Sequence, residues 1–75
     1  MKNRIIEILN QIKPGVDYNS EKHLITDGIL TSFDIVTLIA NLTEEFDIEI
    51  TIKDVIPENF ESIETLEKLV ESKEE

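Results

Sequence analysis

Carboxylates are most of the side chains in this sequence that could do chemistry, and their spacing is not that of a catalytic site. The 75 residues include 17 Asp and Glu, a single histidine (His23), two glycines and no cysteine. A lone histidine in an irregular stretch is more often a surface or packing residue than a general base. The carboxylates lack the spacing of a calcium-binding loop, and two glycines cannot build a phosphate-binding loop. We therefore expect no catalytic residue, no metal site and no enzymatic activity.

The absence of cysteine and the acidic charge narrow the function classes further. Without cysteine the chain cannot form a disulfide scaffold, a thiolate zinc site or a cysteine nucleophile. The formal net charge is −10: residues 1–24 carry four bases and three acids, and residues 25–75 carry three bases and fourteen acids. Such a chain is not attracted to nucleic acid or to an anionic membrane, so the partners we expect are basic protein surfaces.

The apolar pattern predicts neither a membrane span nor a signal peptide. No apolar run reaches the ~18 residues that a membrane span needs. The stretch 1–15 is basic and then apolar, but polar residues interrupt it and no small-residue cleavage site follows. It is therefore not predicted to be a signal peptide. We expect a cytoplasmic protein with one domain over residues 1–75 and no membrane span.

The best-defined helix begins with two adjacent hydroxyl residues. It is predicted to run from about Ser32 to Phe46, with Thr31 or Ser32 at its N-cap. Five apolar residues at helical spacing form its predicted buried face, namely Ile35, Leu38, Ile39, Leu42 and Phe46.

The opposite face of this helix has features that core packing does not explain. At about 100° per residue it carries Phe33, Thr37, Ala40 and Glu44, flanked by Asp34, Val36, Asn41 and Glu45. Phe33 points away from the predicted core, although single exposed apolar residues are common. Glu44, Glu45 and Asp47 crowd the C-terminal end, where the helix dipole disfavours anions. Together these features indicate a docking surface for a basic partner.

The N-terminal part of the chain predicts one helix and a long connection. The helix runs from about Lys2 to Lys13, and Pro14-Gly15 ends it because proline cannot continue the hydrogen-bond ladder. The connection from Pro14 to Thr31 contains enough apolar residues to pack down on the helices. Connections of this length in so small a domain are often functional.

The C-terminal part predicts extended chain, a short helical turn and a last helix. Ile48, Ile50 and Ile52 alternate, and without a second strand we expect them to pack as extended chain. A short helical turn near Lys53–Ile56 is predicted to break at Pro57. The last helix starts after the N-cap Ser62, and Glu74-Glu75 should fray. The fold class is therefore all-α: a small four-helix bundle of three main helices and a short one, with a long loop between helices 1 and 2.

Three stretches resemble the acyl carrier protein family, whose members carry a phosphopantetheine arm. Asp27-Gly28-Ile29-Leu30-Thr31-Ser32-Phe33-Asp34 is similar to the family's attachment motif. Residues 44–50 (EEFDIEI) resemble its acidic helix end, and residues 57–63 (PENFESI) resemble the lead-in to its final helix. The resemblance covers about Leu24 to Val70 well.

The resemblance implies that Ser32 carries a covalent 4′-phosphopantetheine derived from coenzyme A. A separate phosphopantetheinyl transferase would supply Mg²⁺ and the general base, and the arm's thiol would hold an acyl or aminoacyl group as a thioester. The other implied partners are an acyl- or aminoacyl-activating ligase and downstream synthase enzymes with basic docking patches, with the carrier itself a monomer. The residues implied or predicted to contact partners are Asp27, Thr31, Phe33, Asp34, Val36, Ala40, Glu44 and Glu45.

Two departures from the family pattern leave alternatives open. Thr31 replaces the customary Asp before the serine, and Thr37 and Thr43 stand where fatty-acid carriers often have acids. These changes disfavour the usual fatty-acid synthase partners. The Asp27–Asp34 motif and the Asn59-Phe60 lead-in resemble those of discrete aminoacyl, peptidyl or polyketide-type carriers, D-alanyl carriers included, more than those of fatty-acid carriers. An acidic adaptor that keeps the carrier fold without an arm is the competing interpretation. For Ser32 alone, the competing role is helix capping.

Overall fold

Three amphipathic helices share one apolar core in the computed structural model, which describes residues 1–74. The helices are α1 (Lys2–Ile12), α2 (Ser32–Phe46) and α3 (Ile63–Lys73), and no strand occurs in these residues. The predicted all-α class is confirmed. Over the same residues, none of the helices is both long enough and apolar enough to cross a membrane.

Each helix buries the stripe that its spacing predicts, and the three stripes meet in one cluster. α1 contributes Ile5, Ile8 and Leu9, while α2 contributes Leu38 and Leu42. The remaining α2 stripe residues, Ile35, Ile39 and Phe46, are only partly buried at the edge of this core. α3 contributes Ile63, Leu66, Leu69 and Val70.

α1 ends one residue earlier than predicted, because the next residue is already extended. Lys13 has φ −142° and ψ 90°, and its N–H donates to the Leu9 carbonyl at 2.7 Å. From Lys13 to Thr31 the chain forms turns, and Tyr18, Leu24 and Leu30 of this segment are buried in the core. The Tyr18 hydroxyl donates to the Lys13 carbonyl at 2.5 Å. Burial, and then the charge of Asp34, raise the pKa of Tyr18.

The segment between α2 and α3 differs from the prediction. The predicted helical turn at residues 53–56 is replaced by two 3₁₀ stretches, Ile52–Asp54 and Pro57–Phe60. The first stretch already ends at Asp54, and Pro57 starts the second one, because a proline ring suits a first helical position. Ile48 is buried and Ile50 is half-buried, but Ile52 is 89% exposed. The prediction that Ile52 packs with them is wrong, because the extended chain stops at Thr51, the N-cap of the first 3₁₀ stretch.

α3 begins where its cap predicts. The Ser62 hydroxyl accepts the Thr65 N–H at 3.2 Å, and the Thr65 hydroxyl accepts the Ser62 N–H at 3.1 Å. At the other end, Glu74 is the exposed C-cap, and its N–H donates to the Glu71 carbonyl. The predicted fraying of Glu75 concerns a position outside the described residues.

Glu64, in the first turn of α3, joins three parts of the chain. Its carboxylate lies 2.7 Å from Lys22 Nζ in the loop and 3.7 Å from Lys2 Nζ in α1. The hydrogen bond from Lys22, then the Glu64 backbone N–H and the nearby lysine charges, hold the pKa of Glu64 at about 2.

We expect this contact to make folding stability depend on acid pH. Because the folded pKa lies below the ordinary value of 4.5, the contribution of Glu64 is full above pH 4.5 and is lost as the pH falls through 2. Glu64→Gln should lower the urea midpoint at pH 7 and lower it much less at pH 2. Glu71→Gln, on the same helix and outside the ion pairs of the described residues, is the control. Equal losses for Glu64→Gln at both pH values would contradict the expectation.

Candidate functional site

The N-terminus of α2 is closed by a reciprocal pair of hydrogen bonds. Thr31, with φ −89° and ψ 172°, is the N-cap, and its hydroxyl accepts the Asp34 N–H at 3.2 Å. The Asp34 carboxylate accepts the Thr31 N–H at 3.0 Å. This capping box provides hydrogen-bond acceptors for two backbone N–H groups that have no acceptor within the helix. Of the two hydroxyl residues that could cap α2, the structure therefore assigns the cap to Thr31.

Ser32 is left as the first residue of the helix, with its side chain exposed. Its hydroxyl takes no part in the capping box, and none of the hydrogen bonds found within residues 1–74 involves it. Helix capping is therefore wrong as the role of Ser32. The position also suits an anion bonded to Ser32 Oγ, since N–H groups and the positive end of the helix dipole gather there.

Ser32 lies on the edge of an open apolar cavity, which we call the Ser32 groove. The cavity has a volume of about 320 Å³ and runs between α2 and the chain before α3. Apart from Ser32, its lining is apolar: Ile25, Ile35, Val36, Ile39, Val55, Ile56, Pro57 and Phe60. A flexible group bonded to Ser32 Oγ thus has both solvent and an apolar surface within reach. The sequence pattern gives no sign of this wall of the groove, because in residues 53–56 it predicts only a helical turn.

The outward face of α2 is exposed as its spacing predicts. Phe33 is 78% exposed and Val36 is 65% exposed, and Ala40 and Glu44 are exposed further along. We call these four residues the exposed α2 face. Thr37, predicted to lie among them, is half-buried, and its hydroxyl donates to the Phe33 carbonyl at 3.2 Å.

Asp27, also expected at the site, is exposed in the turn that precedes α2. Its N–H donates to the His23 carbonyl at 2.9 Å. The next residue, Gly28, has φ +73°, a backbone conformation that glycine adopts more easily than other residues. The turn therefore keeps Asp27 on the surface, five residues before Ser32.

Glu45 is exposed and forms an ion pair with Arg4 of α1. Arg4 Nε donates to Glu45 Oε2 at 2.9 Å, and the guanidinium lies 4.8 Å from the centre of the Phe46 ring. Arg4 also donates to the Glu45 carbonyl at 3.3 Å. A cation at the C-terminus of a helix offsets the repulsion between carboxylates and the helix dipole. A partner that used Glu45 would have to compete with Arg4, whereas Glu44 is exposed and outside the ion pairs of the described chain.

The chemistry of the site fits attachment of a phosphopantetheine group. Among residues 1–74, no cluster of three His, Cys, Asp or Glu side chains could hold a metal ion. The Ser32 hydroxyl is exposed, free of the cap and next to an apolar groove, and each of these features suits a long, flexible, partly apolar arm.

Comparison with known proteins identifies a related chain. Neither the known protein families nor the solved structures give a match. Aminoacyl carrier protein 1 of Bradyrhizobium diazoefficiens is 40% identical over 74 residues, and the match covers 93% of this chain and 81% of the relative. At this identity and coverage, the chain belongs to the acyl carrier protein family.

Proposed function

We propose that the protein carries aminoacyl or acyl groups as thioesters on a 4′-phosphopantetheine arm attached to Ser32, and presents them to biosynthetic enzymes. The observation that carries the proposal is that Thr31 and Ser32, adjacent at the start of α2, have different roles. Thr31 and Asp34 satisfy the helix end, so the neighbouring Ser32 hydroxyl remains exposed and available. The arm supplies the thiol that holds the cargo.

The attachment reaction needs only a presented hydroxyl from this chain. Ser32 Oγ would attack the β-phosphorus of coenzyme A, forming a new P–O bond as 3′-phosphoadenosine 5′-phosphate leaves. The proton of the hydroxyl would pass to a base of the transferase, which also brings Mg²⁺. The resulting phosphodiester would lie at the N-terminus of α2, where the helix dipole favours a negative charge. Family members are generally non-catalytic, and this mechanism requires no catalytic residue from the chain.

An aminoacyl cargo is the version of the proposal that we favour. It is supported by the relative's name, Aminoacyl carrier protein 1, and by Thr37 and Thr43 at positions where fatty-acid carriers often have acids. The partners would be a phosphopantetheinyl transferase, an activating ligase and a downstream synthase enzyme with a basic patch. They would meet a monomeric carrier in the cytoplasm. We further propose that the two 3₁₀ stretches and the chain from Lys13 to Thr31 are this protein's form of the short helix and the long loop of the carrier fold.

The exposed α2 face would provide the partner contacts. Phe33 and Val36 would supply apolar area next to Ser32, and Glu44 would supply a free carboxylate for a basic patch. Asp27 would extend the surface on the other side of Ser32. Thr31 and Asp34 bind each other in the capping box, so we propose that they act mainly by shaping the helix start.

The intact mass of the protein tests the proposal. After incubation with coenzyme A, Mg²⁺ and a promiscuous phosphopantetheinyl transferase, the chain should gain the mass of one phosphopantetheine. Heat-inactivated transferase serves as the control. A chain that stays unmodified with several transferases would contradict the proposal. It would favour the acidic adaptor, which Thr31 in place of the customary Asp supports.

A further inference from the structure

Glu61, just before α3, receives four hydrogen bonds from three consecutive residues of the loop. Its carbonyl accepts the Leu24 N–H at 2.9 Å. Its carboxylate Oε1 accepts the Ile25 N–H at 2.9 Å and the Thr26 N–H at 3.1 Å, and Oε2 accepts the Thr26 hydroxyl. These donors hold the pKa of Glu61 below its usual value, the Thr26 hydroxyl contributing most. The carboxylate and the backbone carbonyl of Glu61 thus hold a whole turn of the loop in place.

The turn that Glu61 holds leads directly to Ser32. Within it, the Gly28 N–H donates to the Ile25 carbonyl at 3.0 Å, and the Leu30 N–H donates to the Leu24 carbonyl at 3.0 Å. Leu30 is buried and is followed by Thr31, the cap of α2. The backbone from Leu24 to the start of α2 is therefore one hydrogen-bonded unit, and Glu61 attaches it to the chain just before α3.

Glu61 also connects two sides of the Ser32 groove. Ile25, whose N–H it accepts, lines the groove together with Ser32. Phe60, its neighbour in sequence, lines the same groove and is 1% exposed. Loss of the Glu61 carboxylate would therefore allow the loop to move relative to Phe60.

Electrostatic attraction to a basic side chain does not explain the carboxylate of Glu61. The chain already has a formal net charge of −10, and another anion adds to the repulsion within it. Glu61 takes part in none of the ion pairs found in residues 1–74. Its carboxylate instead accepts the backbone N–H groups of Ile25 and Thr26, which have no other hydrogen-bond partner among the described residues.

We propose that Glu61 is a positioning residue for Ser32: it fixes the loop against the chain before α3 and so sets both the orientation of the Ser32 hydroxyl and the width of the groove. This inference rests on the proposed attachment at Ser32 for its functional consequence. The structural part, that Glu61 holds the loop, stands independently of any modification.

Four variants separate positioning from general stability. Glu61→Ala removes the three side-chain hydrogen bonds. Glu61→Gln keeps one carbonyl oxygen for the two N–H donors and an amide that can donate to the Thr26 hydroxyl. Thr26→Val removes only the hydroxyl. Glu58→Ala is the matched control, because Glu58 is an exposed acid of the 3₁₀ stretch that has Glu61 as its C-cap.

Amide hydrogen exchange and amide chemical shifts give the structural readout. In Glu61→Ala, exchange at Ile25 and Thr26 should accelerate by about tenfold or more, and the amide resonances of Ser32 and Phe33 should shift. Glu61→Gln and Glu58→Ala should remain close to the parent protein, and Thr26→Val should lie between. Unchanged exchange and shifts in Glu61→Ala would overturn the proposal, whether or not Ser32 is ever modified.

Transfer kinetics give the functional readout, at a temperature where all variants are folded by circular dichroism. Glu61→Ala should lower kcat for modification of Ser32 by about tenfold, because the nucleophile is less well placed, with a smaller change in KM. Glu61→Gln should recover most of the parent kcat. A parent-like kcat in Glu61→Ala would overturn the positioning of Ser32. A parent protein that is not modified at all would instead refute the proposed function, and the exchange and shift data would still decide the role of Glu61.

Discussion

Ser32→Ala is expected to abolish the mass gain from phosphopantetheinyl transfer, while Thr31→Ala retains it. The two hydroxyls are adjacent, but they have different surroundings. Thr31 Oγ1 accepts the Asp34 N–H, whereas Ser32 is exposed and outside the capping box. Removing Oγ of Ser32 removes the only nucleophile that the proposal uses, so the expected loss is complete rather than partial. Intact-protein mass spectrometry with coenzyme A, Mg²⁺ and a transferase measures it.

Stability and modification should respond in opposite ways to the two substitutions. Loss of an N-cap hydroxyl typically costs about 1 kcal/mol, so Thr31→Ala should lower the urea midpoint, whereas Ser32→Ala should leave it nearly unchanged. Ser20→Ala removes an exposed loop hydroxyl and controls for hydroxyl loss in general. A mass gain that survives in Ser32→Ala but disappears in Thr31→Ala would move the attachment to Thr31. Retention of the gain in both single variants would place it at another residue.

Thr31→Asp distinguishes capping from recognition by the transferase. Asp is as good an N-cap as Thr, so the helix start should be preserved. The substitution restores the residue that carrier proteins usually have before the serine. If transferases recognise that charge, kcat/KM for modification should rise without a change in stability. An unchanged kcat/KM would mean that capping alone accounts for this position.

The helices were the predictable part of the fold, because their signals are local. The bounds of α2 follow from a hydroxyl residue at the cap and an apolar residue every three or four positions, and the observed range is Ser32–Phe46 as predicted. The start of α3 at Ser62 has the same origin. Capping and periodicity act within a few residues, so one sequence is enough to detect them.

The segment after α2 was less predictable because its conformation depends on competing short-range choices. Alternation of Ile48, Ile50 and Ile52 predicts one buried face. The Asp54 carboxylate, however, accepts the Thr51 N–H at 2.9 Å and the Thr51 hydroxyl at 3.0 Å, and these bonds turn the chain and leave Ile52 in solvent. Side-chain hydrogen bonds to the backbone compete with extended chain in this way. The alternation could not reveal which of the two would prevail.

The candidate site, too, was only partly predictable from the sequence. Ser32 was predicted from a motif, but the groove beside it depends on residues from the loop, α2 and the chain before α3. Glu61 lies 35 residues from Thr26 in sequence, and nothing local marks it as the acceptor for the loop. The ion pair of Arg4 with Glu45 joins residues 41 apart and was equally invisible. Contacts of this kind are products of tertiary packing and need coordinates.

The second large effect is expected at Phe60, where the groove and the core meet. Phe60 is 1% exposed and packs in the same cluster as the buried residues of all three helices. Truncating a buried Phe to Ala typically costs about 3–5 kcal/mol, because both transfer energy and a cavity are involved. A 75-residue domain has a total stability of roughly 4–11 kcal/mol. Phe60→Ala should therefore remove much of the free energy of unfolding, or all of it.

Ile52→Ala is the matched control, because Ile52 is a large apolar residue of the other 3₁₀ stretch and is 89% exposed. It should change stability by no more than about 0.5 kcal/mol. Urea unfolding followed by circular dichroism measures both variants. Fluorescence of the only tyrosine, Tyr18, reports on the core independently, since that ring is 2% exposed.

Phe60→Leu keeps the experiment decisive if the alanine variant does not fold. Leucine retains most of the apolar contact, so the loss should be smaller than for alanine, and the groove should widen beside Ser32. If the groove matters only as part of the core, modification of Ser32 in Phe60→Leu should match the parent once both are folded. If Phe60 and Glu61 together set the position of the loop, kcat should fall in Phe60→Leu as it does in Glu61→Ala. Parent-like stability in Phe60→Ala would instead mean that the ring is not part of the core.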